Sequence, residues 1–156
     1  MKSDALKSAL TEVLTTGGAH VDFDNALKGF PFADAGKRPK GVPDSAWQLL
    51  EHMRIAQADI LEYVSTPEYR EKKWPEDYWP KESAPESEDA WQKSVRAFRR
   101  DRKKLASLLN AGDPLKPIAF ADNKTPMKEA LLAADHNAYH LGAFVMLRKI
   151  LGNWKE

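Results

Sequence analysis

Cysteine is absent from this chain of 156 residues. That excludes thiolate metal ligands, a cysteine nucleophile and a disulfide frame together. An excess of charge of one sign is also missing, because 24 basic and 23 acidic side chains leave a net charge of +1. Nothing in that balance calls for nucleic acid or an anionic membrane as a partner. No stretch approaches the roughly 20 apolar residues of a membrane span. The start, MKSDALKSALTEVL, carries charge throughout and has no apolar segment of signal-peptide type. A cytoplasmic protein is expected. No β-pattern competes with the helical one, and no repeat is visible.

What is present reads as an ordinary globular domain. Hydrophobic residues make up 42% and charged residues 30% of the chain, enough for one core and one domain over residues 1–156. Four segments have helical character. In the first, from about Ser3 to Leu14, Leu6, Ala9, Leu10, Val13 and Leu14 recur at threes and fours before Gly17 and Gly18 halt it. A short turn with Asp22 as cap before Phe23 and Leu27 follows, then a loop marked by Pro31, Gly36, Pro39, Gly41 and Pro43. The second helix starts near Ser45, which has capping-box spacing to Gln48, and ends at Ser65, Thr66 and Pro67. The third spans about Ser87 to Leu109, with Trp91, Val95, Phe98, Leu105 and Leu109 inward. Thr125 caps the fourth, Pro126 takes its first position, and the helix runs to about Leu151, with Gly152 just past its end.

The connection Pro67–Glu86 is about twenty residues, long enough to return along the ~30 Å of a 20-residue helix. Helices two and three can therefore lie parallel, joined by a crossover. The crossover carries Tyr69, Trp74, Pro75, Tyr78, Trp79 and Pro80. Rings in such a loop either shield the core or form a wall over a ligand pocket.

Two of the four histidines stand four apart in ADHNAYHLG. On a helix, His136 and His140 share one face, on a stripe with Leu132 and Leu147. Two imidazoles directed inward are costly unless their lone pairs are satisfied, and a metal ion does this. Asn137 stands where an HExxH zinc site has its glutamate, which disfavours a metalloprotease of that class. His52, in AWQLLEHMRIAQADIL, lies on the stripe of Leu49, Ala56 and Tyr63. With helices two and four antiparallel it can reach the pair. On the residues alone it reads either as a satisfied core histidine or as the third ligand. His20 reads as a surface or turn residue, or as one at a pocket mouth. The run RAFRRDRKK reads as a solvated face, or as a contact for an acidic cofactor. Trp47, Trp91, Phe98 and Phe144 fall at core spacing.

The strings DHNAYHLG, LRKILGNW and LLEHMRIAQADIL, with the aromatic WPEDYWP crossover, resemble the DinB-like superfamily of metal-binding four-helix bundles. The resemblance covers nearly the whole chain. It implies an all-α bundle of up-down-down-up order and a divalent metal held by His52, His136 and His140. Zinc, nickel and iron are the expected ions, with copper also compatible with all-nitrogen ligation. It also implies a homodimer and a small-molecule substrate, because characterised relatives include bacillithiol- and mycothiol-dependent S-transferases and a maleylpyruvate isomerase. A metal-dependent transferase using a low-molecular-weight thiol, or a hydrolase, is thus expected. The alternative is a non-catalytic bundle with a structural ion. Glu51, Asp59, Asp135 and Tyr139 adjoin the ligands in sequence, but adjacency assigns none of them a role.

Overall fold

A computed structural model describes residues 2–155. It contains five helices and, among the described residues, no strand. These are α1 (Lys2–Thr16), α2 (Phe23–Leu27), α3 (Ala46–Ser65), α4 (Glu88–Asn110) and α5 (Pro126–Ile150). Four are long, as expected. The helix α1 runs two residues beyond Leu14 before the left-handed Gly17 and Gly18, at φ 76° and 64°, turn the chain.

Local chemistry sets the helix ends. Ser45 and Gln48 form a reciprocal capping box at the start of α3. That arrangement satisfies two backbone donors that a helix end leaves open. The side chains of Asp22, Ser87 and Thr125 accept from Asn25, Ala90 and Lys128 to start α2, α4 and α5. Pro126 occupies the first turn of α5, and Gly152 closes it at φ 71°.

Helix α3 packs on α4 and α5, and α1 also packs on α4 and α5. The buried side chains form two apolar clusters. One gathers Leu49, Leu50 and Met53 of α3, Trp91, Val95 and Phe98 of α4, and Leu141, Phe144 and Leu147 of α5, with Phe23 and Ala26 from α2. The other gathers Leu10 and Leu14 of α1, Leu61 and Val64 of α3, Leu105 and Leu109 of α4, and Ala130 and Ala133 of α5. Helices α3 and α4 thus pass from the first cluster to the second, and α5 passes from the second to the first. Along α3 and α4 the buried Gln57 and Asp101 fall between the residues of the two clusters and begin a polar layer, with buried His52 just before Met53 of the first cluster. At the far end of α5, buried Arg148 donates to the carbonyls of Ala26, Lys28 and Asn153 at 2.6, 3.0 and 2.7 Å. That contact fastens the α2 segment to the bundle.

Two expected inward positions face outward. Val13 is 46% and Leu132 48% exposed. Leu132 is joined on the outer side of α5 by Leu131, Tyr139, Met146 and Ile150. The helix is apolar on nearly every side, so apolar spacing alone does not define which side faces in. No helix among the described residues is long and apolar enough to cross a membrane.

Phe98 sits at the centre of the first cluster, 1% exposed and stacked on Phe23 with ring centroids 4.0 Å apart. Truncating a ring at such a site loses its transfer free energy and leaves a cavity. Phe98→Ala is expected to cost about 3–5 kcal/mol in denaturant unfolding. A loss under about 1 kcal/mol would be inconsistent with this packing.

Candidate metal centre

The polar layer holds the three histidines. His52 comes from the second turn of α3 and is 1% exposed. His136 and His140 come from successive turns of α5 and are half-buried. The Nε2 atoms of His136 and His52 are 3.0 Å apart, and those of His52 and His140 are 3.1 Å apart. The ring centroids form a near-equilateral triangle, with sides of 4.8, 4.4 and 4.6 Å. One ligand atom from each residue lies within 4.8 Å of the other two. The three positions singled out by sequence therefore meet at one point. His20 does not join them: it is exposed, and its Nδ1 faces the carbonyl of Val21 at 2.9 Å.

Hydrogen bonding shows what this trio suits. Nδ1 of His52 is 2.9 Å from the carbonyl oxygen of Tyr78. A carbonyl only accepts, so Nδ1 carries the hydrogen and Nε2 presents a lone pair. Two further Nε2 atoms converge on that lone pair, which can accept one N–H well but not two. A cation accepts all three lone pairs together. Nitrogens held at ~2.0–2.1 Å by one zinc ion stand about 3.3 Å apart, close to the separations seen here. The donor set therefore fits a divalent transition metal, and its nitrogen-only composition does not select among zinc, nickel, iron and copper.

The crossover supplies the outer wall. Trp79 lies flat on the His52 ring, with centroids 3.8 Å apart and planes 5° from parallel. The ring of Trp74 is 6.2 Å from that of His52, and Tyr139 meets the His140 ring edge-on at 4.9 Å. Both are exposed, at 68% and 76%. The crossover is anchored to α3 through Asp59, which is 7% exposed. Asp59 Oδ2 accepts the hydroxyls of Tyr78 at 2.6 Å and Tyr69 at 3.3 Å. Burial and the neighbouring carboxylate raise both phenols, Tyr69 to about 12, so both stay protonated as donors. Asp59 thus holds the residue whose carbonyl orients His52. Glu51 turns away from the centre, to Arg54 at 2.7 Å and to Ser94 on α4. Asp135 is exposed.

Three contributions were not read from the sequence: buried Gln57, the Tyr78 carbonyl that accepts from His52, and the hydrogen bond of Asn137 to Gln57. Gln57 carried a usable signal, because it follows Leu50 and Met53 at helical spacing on a buried face. The basic run is largely paired with acids: Arg99 and Arg102 reach Asp24 at 2.6 and 2.9 Å, and Arg100 reaches Asp101 at 2.8 Å. Trp91, Phe98 and Phe144 are core, and half-buried Trp47 packs against them.

A family model described as the DinB superfamily matches residues 18–144. No curated protein and no solved structure gives a match.

Burial lowers the pKa of all three rings. It acts most on His136 and His140, each brought to about 4, and the positive charge its neighbours would carry adds to the effect. The unfolded chain then takes up these protons first as pH falls. Their contribution to the stability of the metal-free protein is full above about pH 6.5 and is lost on descent toward pH 4. Thermal midpoints should drop across that window. They should drop less in a His136→Gln/His140→Gln double variant, and equal slopes in the two proteins would refute the assignment.

Proposed function

The chain belongs to the DinB superfamily, and from that premise we propose that it is a metal-dependent enzyme acting on a small molecule at the three-histidine centre. The reaction class is thiol-cofactor S-transfer or hydrolysis. The convergence of three imidazole Nε2 atoms carries the reading. Three neutral ligands leave an ion its full charge and an open position. When bound, the ion supplies Lewis acidity, drawing water toward pKa ~7 and favouring a thiolate over a thiol.

The protein's own groups do the rest. The Tyr78 carbonyl holds the tautomer of His52, as imidazole ligands require of their outer partners. Trp79 covers one face of that ring and keeps water from it. Trp74 and Tyr139, exposed beside the histidines, form an aromatic rim suited to the apolar part of a substrate. Among the described residues no carboxylate stands out as a general base. The up-down-down-up order belongs to the same reading. It is supported by the shared direction in which α3 and α4 cross the two clusters and by the reversal of α5.

Protein purified without a histidine tag should carry one divalent ion per chain by elemental analysis. His140→Ala should lose at least tenfold in metal affinity, together with turnover in a thiol-transfer and hydrolase screen. Metal-free wild-type protein that cannot be loaded would overturn the proposal.

A structural ion is the second reading, favoured by the almost complete burial of His52. It requires that chelation lower the thermal midpoint sharply while no substrate is turned over.

The proposal includes a homodimer, as the resemblance implies. Leu132, Tyr139, Met146 and Ile150 form an apolar strip along the outer side of α5, and the small Gly142 and Ala143 beside it allow close approach. Wild type should sediment as a dimer and Met146→Glu as a monomer. A wild-type monomer at high concentration would remove this part of the proposal.

A further inference from the structure

The polar layer contains a chain of amides whose direction is fixed at one end. Gln57 on α3 is fully buried, and its Nε2 donates to the carbonyl oxygen of Phe98 on α4 at 2.8 Å. Because a carbonyl only accepts, the Gln57 amide cannot be turned round, and its Oε1 is left as an acceptor toward α5. There it receives Nδ2 of Asn137 at 3.0 Å, which fixes the second amide in the same sense. One atom is left over: Asn137 Oδ1, buried and without a partner. On the preceding residue, Nδ1 of His136 is also buried and without a partner. The two atoms belong to adjacent residues on the same stretch of α5, and neither finds a partner elsewhere in the protein. A buried polar atom left unpaired is costly, and here each orphan is what the other lacks.

We propose that the Phe98 carbonyl, Gln57 and Asn137 form a directional relay that sets the tautomer of His136. Nδ1 keeps its hydrogen for Asn137 Oδ1, and Nε2 turns a lone pair toward His52 and His140. Gln57 and Asn137 are positioning residues that act through His136. His52 reaches the same state by a shorter route, since the Tyr78 carbonyl faces its Nδ1 directly. A backbone carbonyl therefore dictates the inward lone pair in both rings, once at first hand and once through two amides. The purpose of the relay rests on the metal reading above; its existence does not.

The test uses the full chain with metal removed. Long-range 1H–15N correlations at neutral pH report which ring nitrogen of His136 carries the hydrogen, and chelator competition gives the affinity for Zn(II). Wild type should show the Nδ1–H form. Asn137→Ala should mix the two tautomers and weaken zinc about 10- to 100-fold. A purely structural Asn137 would show a lower thermal midpoint in the alanine variant with tautomer and zinc affinity unchanged, and that result overturns the relay. Hydrogen on Nε2 of wild-type His136 overturns it outright, even if zinc binds. The Nδ1–H form in a wild-type protein that binds no zinc upholds the relay and removes the metal reading instead.

Discussion

Three imidazole lone pairs directed at one point inside a helical bundle cannot satisfy one another. That constraint organises the molecule. A lone pair needs a proton or a cation, and the Tyr78 carbonyl removes the option of a proton on Nε2 of His52. The surrounding structure follows from keeping the rings in this state. Apolar packing is interrupted at one level, so that the core splits into two clusters with polar side chains between them. The crossover is tied down by Asp59 and both tyrosine hydroxyls, so that the carbonyl facing His52 is fixed in place. Burial then keeps the rings neutral, the form in which imidazole binds metal.

Much of the frame is legible in the sequence because it is local. The Ser45–Gln48 box, the Thr125–Pro126 start and Gly152 each act within four residues and end helices where expected. The inward face of α4 is likewise legible, since its apolar residues form a narrow stripe against charged neighbours. The orientation of α5 is not, because that helix is apolar almost all round. Leu132 and Leu147 share a spacing with the histidines, yet one is half-exposed and the other buried.

The centre itself divides in the same way. His136 and His140 are legible from their spacing, and His52 needed the family resemblance to be preferred over a core histidine. The groups that hold the rings were hidden for a different reason. Tyr78 reaches His52 with a backbone carbonyl, which every residue has, so its side chain gives no sign of the contact. Gln57 and Asn137 are 80 positions apart and have meaning only as a pair. Asp59 adjoins the site in sequence but touches it only through the crossover.

The ring nitrogens that meet are 84 and 88 residues apart along the chain. Closing so long a loop costs entropy before any contact repays it, and contacts of high sequence separation slow folding. The helices and their caps are local and can form early, whereas the histidine triangle requires α3 and α5 to have docked already. The nascent chain therefore offers an ion at most the nearby pair on α5. An ion held by all three rings would therefore be captured late, by a bundle that has already been assembled.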